Sequence, residues 1–184
     1  MPQQPARRYT AKEVQDFPSD GNRYEVVHGE LFVSPAPRAR HQIVISRLVW
    51  KLGAYLESLG RRETLFFLAA DISWDDETLV QPDMFVAVPE EMTDDWSTYR
   101  TLLLAVEVLS PSTARADRLV KRRLYQEYGV GTYWIVDHLA GVVEIWRPGI
   151  DHPEMATETL RWRVTPDAPE AAIDLAVLFA GLPE

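Results

Sequence analysis

The chain has 184 residues, the length of one ordinary domain, and its 46% hydrophobic and 26% charged residues argue against disordered and fibrous classes. Because the chain contains no cysteine, a disulfide scaffold, a thiol nucleophile and a zinc-thiolate site are excluded. A net charge of −9 argues against a protein that coats nucleic acid by bulk electrostatics, but it is compatible with a local basic patch around an acidic, metal-binding centre.

No apolar run approaches the roughly 20 residues that are needed to span a bilayer. The first eight residues lack the apolar core of a signal peptide. We therefore expect a soluble, cytoplasmic protein with no membrane partner.

The first 22 residues are predicted to form an N-terminal extension with one short helix. This helix begins after Thr10, which forms a capping-box pattern with Glu13 three residues later. Residues 23–184 are predicted to form a single domain.

The order of elements in this domain predicts a mixed α/β fold. A hairpin over residues 24–33, turning at His28-Gly29, is followed by an amphipathic helix over about 40–59. Residues 102–109 are apolar on both faces apart from one glutamate, which is typical of a central strand covered on both sides. We predict strands at 64–74, 80–88 and 101–109, a helix from about 112 to 128, strands at 133–136, 142–147 and 159–164, and a short terminal element at 173–179.

Glu107 is the clearest break in this apolar pattern. An unpaired carboxylate inside a buried strand is very costly, so Glu107 must be protonated, paired with a cation or bound to a metal. From this residue alone, a structural salt bridge and a functional role are equally supported.

Asp83 shifts that balance toward function. It follows Pro82, which cannot donate to a central strand ladder, so Asp83 is predicted near the start of a strand. A neighbouring strand would bring it close to Glu107, and two convergent carboxylates suit Mg²⁺.

Lys121 is predicted on the core-facing stripe of the second helix, between Val120 and Leu124. A desolvated lysine needs an anion, either a protein carboxylate or a bound phosphate. The alternative interpretation is a structural pair with Asp117 at i, i+4, and the two roles are compatible.

Other unusual positions have simpler interpretations. His41 lies on the apolar face of the first long helix and is expected to be a cap or core residue. Glu30 is expected to be solvated or ion-paired in the hairpin. Trp50, Trp134 and Trp146 are expected to pack in the core rather than to stack on bases.

Several segments together resemble a known family. This pattern, over about residues 23–147, resembles the Uma family of putative restriction endonucleases, which belongs to the PD-(D/E)XK nuclease superfamily. The segments that carry the resemblance are Tyr24-Glu25-Val26-Val27-His28-Gly29-Glu30-Leu31, Ser34-Pro35-Ala36-Pro37 with Arg40-His41, Gln81-Pro82-Asp83, Glu107-Val108-Leu109-Ser110-Pro111-Ser112-Thr113, Lys121-Arg122-Arg123-Leu124-Tyr125 and Tyr133-Trp134-Ile135-Val136-Asp137.

The resemblance implies a restriction-endonuclease-like core, in which a mixed central sheet is flanked by helices, with an N-terminal hairpin and extra C-terminal strands. It implies that Asp83 is the aspartate of the motif and Glu107 the second acid. Leu109 occupies the usual lysine position, and Lys121 on the following helix matches the lysine that this family supplies instead. The candidate supporting residues are Glu30, His41, Ser110, Asp117 and Tyr125.

The resulting hypothesis is an endonuclease that requires Mg²⁺, with Mn²⁺ as a substitute, and that hydrolyses phosphodiester bonds, with DNA as the expected substrate. Asp83 and Glu107 would hold the metal, and Lys121 would orient the attacking water or neutralise charge on the phosphate. A homodimer is compatible with this activity, since cutting both strands of a duplex often uses two active sites. Arg40, Arg118 and Arg122 are the candidate phosphate-binding residues.

Two alternatives remain open on the sequence. A catalytically inactive nuclease-fold module would bind nucleic acid or a protein partner without cutting, and the acidic charge and the missing lysine at Leu109 favour it. A two-carboxylate glycosidase ranks last, because it does not explain a core-facing lysine.

Overall fold

A computed structural model describes residues 7–67 and 70–183 of the chain. Within these residues, no helix has both the length and the apolar character needed to cross a membrane. The helices are α1 (Ala11–Gln15), α2 (Ala39–Ser58), α3 (Ala114–Ala116), α4 (Arg122–Glu127) and α5 (Leu175–Phe179), and a π-helical segment, Asp117–Lys121, joins α3 to α4. The strands are β1 (Arg23–Val27), β2 (Glu30–Ser34), β3 (Leu65–Phe66), β4 (Ile72–Asp75), β5 (Thr78–Val80), β6 (Met84–Ala87), β7 (Leu102–Val108), β8 (Tyr133–Asp137), β9 (Val142–Trp146), β10 (Glu154–Ala156), β11 (Thr159–Trp162) and β12 (Ala171–Asp174).

The main sheet has six strands in the order β10-β9-β8-β7-β6-β3. Strands β7 and β8 run parallel, with Glu107 opposite Ile135, and the other neighbours in this sheet run antiparallel. The helical stretch from Ala114 to Glu127 connects the parallel pair as a crossover, as parallel strands require. Strand β7 therefore lies inside the sheet, as its apolar sequence predicts.

Alternate residues of β7 face two separate cores. Val106 packs in the core beneath α2, together with Leu48, whereas Ala105 packs with Leu124 of α4 on the opposite face. Glu107 shares the α4 side of the sheet, since successive side chains of a strand point to opposite faces. The predicted mixed α/β fold, with helices on both sides of a mixed sheet, is confirmed.

A second sheet has four strands in the order β2-β1-β5-β4. The β1–β2 turn has positive φ at His28 (48°) and Gly29 (77°), a combination that gives a tight hairpin turn its twist. The predicted capping box begins α1, and Val14 of α1 packs against Val26 of β1. The division between an extension up to residue 22 and a domain from residue 23 stays a prediction.

The predicted strands at 64–74 and 80–88 are each broken in the structure. The first separates into β3 and β4, and the second overlaps the end of β5 and then β6. Pro82 lies in the second break, where a residue without an N–H cannot continue the ladder. The chain crosses from the four-stranded sheet to the six-stranded sheet at this point, which leaves Asp83 between the two sheets.

Candidate active site

Asp83 is buried and held by three donors from different elements. Its Oδ1 accepts a hydrogen bond from Arg23 Nη2 at 2.9 Å. Its Oδ2 lies 3.0 Å from His41 Nε2 and accepts a bond from the backbone N–H of Val108 at 2.8 Å. Burial acts to raise the pKa of Asp83, but the His41 contact and the Arg23 charge outweigh it and lower the pKa to about 2. Asp83 is therefore ionised at neutral pH.

Glu107 is 2% exposed and is held through one of its two oxygens. Its Oε1 accepts hydrogen bonds from Lys121 Nζ at 2.8 Å and from the Tyr125 hydroxyl at 3.2 Å. Burial raises the pKa of Glu107 well above its ordinary value of 4.5. The charge of Lys121 lowers this pKa, whereas nearby carboxylates such as Asp83 raise it further. Proton binding at Glu107 is thus favoured unless a further cation is present.

Lys121 lies among three carboxylates. Its Nζ is 2.8 Å from Glu25 Oε1, 2.8 Å from Glu107 Oε1 and 3.7 Å from Asp117 Oδ1. Burial acts to lower the pKa of Lys121, but these carboxylates outweigh it and raise the pKa, so the ammonium stays charged. The predicted pair with Asp117 is present, as the longest of the three contacts.

The buried network has more negative than positive groups. Its carboxylates are Glu25, Asp83, Glu107 and Asp117. Among the described residues, Lys121 and Arg23 are the two permanently charged side chains that form ion pairs with these four carboxylates. Neither oxygen of Asp117 has a hydrogen-bond partner in the described chain, and burial raises its pKa to about 6. The network therefore favours a further positive charge.

Asp83 and Glu107 both line a cavity of about 250 Å³, and Val108 lies between them in its wall. Arg38 and Arg40 line it too, at the start of α2, and neither forms an ion pair with a carboxylate within the described residues. The cavity thus combines two acids with two cations that are free to bind an anion.

The carboxylates that line this cavity fit a hard divalent cation. An ionised carboxylate has about four lone-pair sites, of which Asp83 uses three and leaves one on Oδ1. Glu107 Oε2 accepts no hydrogen bond from the described residues, although Glu107 lines the cavity. Residues 7–67 and 70–183 contain no cluster of three or more potential metal-ligating side chains. Two carboxylates nevertheless match Mg²⁺, which commonly keeps water and substrate oxygens as its other ligands.

The remaining predicted residues are only partly brought together. His41, Tyr125 and Asp117 belong to the buried network, as described above. Ser110 lines the cavity, where its hydroxyl lies 2.9 Å from that of Ser112. Glu30 is exposed in the hairpin and is not part of the cavity wall.

The three candidate phosphate-binding arginines also differ. Arg40 lines the cavity, whereas Arg118 is paired with Asp137 at 2.9 Å and with Glu144 at 2.6 Å. Arg122 lies over the ring of Trp146, 4.7 Å from its centroid. The structure therefore separates Arg118 and Arg122 from the cavity.

Sequence reasoning missed Arg23, Glu25 and His138. Arg23 and Glu25 share a face of β1 with the buried Val27, so the alternation of charged and apolar residues is the one clue that could have identified them. His138 follows β8, where its position in a turn gave no pattern. It lines the cavity, and both ring nitrogens are buried without a hydrogen-bond partner in the described residues.

Comparisons with known proteins identify the family and the fold of this chain. The sequence matches the model of the Uma2 family, described as "Putative restriction endonuclease", over residues 11–177. A crystal structure of a "putative nuclease belonging to DUF820" from Anabaena variabilis ATCC 29413 has the same fold, with a TM-score of 0.77 and 19% identity, covering 95% of this chain and 99% of that chain. No curated protein matches the sequence.

Proposed function

Because the chain belongs to the Uma2 family of restriction-endonuclease-like proteins, we propose that it is a metal-dependent endonuclease that hydrolyses phosphodiester bonds in DNA. One observation carries the proposal: a buried network with more carboxylates than cations opens, through Asp83 and Glu107, into a cavity that Arg38 and Arg40 also line without an ion pair among the described residues. This arrangement can hold a divalent cation next to a phosphate.

Asp83 and Glu107 would hold Mg²⁺ or Mn²⁺. When bound, such an ion polarises a phosphate and lowers the pKa of an attacking water. Asp83 is suited to this role because its pKa of about 2 keeps it ionised, and because Arg23, His41 and the Val108 N–H fix its orientation.

Lys121 is proposed to be a positioning residue. The sequence suggested that it orients water or contacts phosphate, but its ammonium is directed at Glu25, Glu107 and Asp117 and does not form part of the cavity wall. With Tyr125, it fixes Glu107 Oε1 and leaves Oε2 for a ligand in the cavity.

Arg38 and Arg40 are the proposed phosphate-binding residues. Both line the cavity that contains the two acids, and both are free of carboxylate partners within the described chain. Arginine is suited to phosphate because its planar guanidinium donates two parallel hydrogen bonds. Arg118 and Arg122 are not included, because their side chains make contacts elsewhere.

The second candidate function is a nuclease-fold module that binds nucleic acid without cutting it. The observation that favours it is the direction of Lys121, which leaves the cavity without a lysine, while Leu109 occupies the usual position of that residue. The two candidates differ in whether a phosphodiester bond is broken when metal is supplied.

Cleavage of supercoiled plasmid DNA in Mg²⁺ and in Mn²⁺ by wild type and Glu107→Gln distinguishes them. We expect nicking or linearisation by wild type, none by Glu107→Gln, and unchanged activity for Glu90→Gln, which alters an exposed glutamate that does not line the cavity. Circular dichroism of the variants is the check that they are folded. Cleavage by a folded Glu107→Gln variant would refute the assignment of this residue.

A further inference from the structure

A row of adjacent cavities leads away from the candidate active site along α2. A second cavity, of about 300 Å³, shares Asp83, Arg23 and the 35–37 loop with the first cavity. A third, of about 530 Å³, shares Gln42, Ile45 and Phe67 with the second. We call the second and third cavities together the α2 groove. Because neighbouring cavities have lining residues in common, the three form a row that begins beside Asp83 and follows the helix.

Two aromatic side chains are exposed in the α2 groove. Trp50 is 78% exposed and Phe67 is 41% exposed, although large aromatic rings are normally mostly buried. The expectation that Trp50 packs in the core is wrong, whereas Trp134 and Trp146 are buried as expected. The exposed rings line the groove that begins at the candidate active site.

A cation lies beside these rings. A side-chain carbon added at Gly53 would lie 2.9 Å from Arg62 Nε, so the glycine allows this guanidinium to lie against the helix. Glycine weakens a helix interior, and here its lack of a side chain makes room for a charge. Arg62 forms no ion pair with a carboxylate in the described chain, and Glu57 is the acidic residue that shares this end of the groove.

The dimensions of the α2 groove fit a short stretch of nucleic acid. Gln42 lines both cavities of the groove, and Trp50 lies eight residues further along the same helix, about 80° away around the helix axis. At about 1.5 Å per residue, the two positions are about 12 Å apart along the helix axis. This distance corresponds to roughly three to four stacked nucleotides at about 3.4 Å each.

We propose that the α2 groove binds an unpaired nucleic-acid strand that extends from the candidate active site, with bases stacked on Trp50 and Phe67 and a phosphate beside Arg62. Stacking on exposed aromatic rings requires bases that are free of a duplex partner, and it recognises any base because every base has a π-face. A net charge of −9 also disfavours a long duplex contact, since that depends on many cations. The inference rests on the proposed function and names its substrate class.

The test is fluorescence anisotropy in EDTA, with a fluorescein-labelled 12-nucleotide oligothymidylate and a 12-base-pair duplex as probes. We expect wild type to bind the single strand more tightly than the duplex. Trp50→Ala should weaken single-strand binding about 5- to 150-fold, the effect of losing one stacked base, while Trp50→Phe should recover much of it. Met155→Ala, which alters an exposed side chain outside the groove, should have no effect.

Equal single-strand affinity of wild type and Trp50→Ala would overturn the inference, as would a preference of wild type for the duplex. Light scattering of the same samples tests the other occupant, a second copy of the chain. Dissociation of a dimer by Trp50→Ala with unchanged strand affinity would also overturn it. Because EDTA removes the metal, strand binding through Trp50 without any cleavage in Mg²⁺ or Mn²⁺ would refute the proposed function and leave this inference standing.

Discussion

Replacing Asp117 with asparagine should stabilise the protein above pH 6 and have little effect near pH 4. Asp117 is 1% exposed, its oxygens have no hydrogen-bond partner in the described chain, and its nearest cation, Lys121, is 3.7 Å away. Burial raises its pKa from the ordinary 3.8 to about 6, so the folded protein binds this proton more tightly than the unfolded chain does. Its contribution to the free energy of unfolding therefore falls as the pH rises from about 4 to about 6.

The size of the effect follows from the two pKa values. Each tenfold change in proton affinity corresponds to about 1.4 kcal/mol, so the difference between 3.8 and about 6 amounts to about 3 kcal/mol at high pH. Asparagine has nearly the same shape and no charge, so Asp117→Asn removes this cost. At pH 4 the folded wild type is already protonated at Asp117, and the two proteins should have similar stability.

Urea denaturation at pH 4 and pH 8 measures the difference directly. We expect the free energy of unfolding of Asp117→Asn to exceed that of wild type by up to about 3 kcal/mol at pH 8 and by much less at pH 4. Asp167→Asn, in an exposed loop, is the control and should show no such dependence. A variant that is less stable than wild type at pH 8 would show that the Asp117 carboxylate stabilises the network, contrary to this reasoning.

Three further changes test the network and the hairpin. Lys121→Met should lower the free energy of unfolding at pH 8 by about 3–5 kcal/mol in urea, because it leaves buried carboxylates without their cation. Arg23→Gln should raise the pKa of Asp83 above about 2, as measured by carboxyl ¹³C NMR, because a neighbouring positive charge is lost. Gly29→Ala should cost about 1–2 kcal/mol in thermal unfolding, because Gly29 has a φ of 77°. Unchanged stability of Lys121→Met would contradict the stabilising role of its ion pairs, and unchanged stability of Gly29→Ala would contradict the strain expected at a positive φ. An unchanged Asp83 pKa in Arg23→Gln would contradict the influence of the Arg23 charge on that carboxylate.

Charged residues inside apolar patterns were the most informative part of the sequence. Glu107 and Lys121 occupy positions where strand and helix periodicity require apolar side chains, and the structure brings them to 2.8 Å. Such positions can be recognised from sequence because a buried charge conflicts with the local pattern. Asp83 was found for a related reason, since Pro82 interrupts the strand just before it.

Other features depend on tertiary structure that local patterns do not contain. Glu25 is buried because β1 packs on β5 in a second sheet, and sequence alternation does not specify which sheet a hairpin joins. The same crossing between sheets explains why the predicted strands at 64–74 and 80–88 are broken. The exposure of Trp50 could not be predicted, because a tryptophan near an apolar helix face is usually buried.

Asp83 and Glu107 are proposed to form a divalent-metal site. Calorimetric titration of Mn²⁺ into wild type and Asp83→Asn at neutral pH tests it without any choice of nucleic-acid substrate. We predict saturable binding to wild type and its loss in a folded Asp83→Asn variant, because the Asp83 carboxylate, which lines the cavity, belongs to the proposed ligand set. Equal binding by the two proteins, or no binding to folded wild type, would contradict the assignment of the metal site.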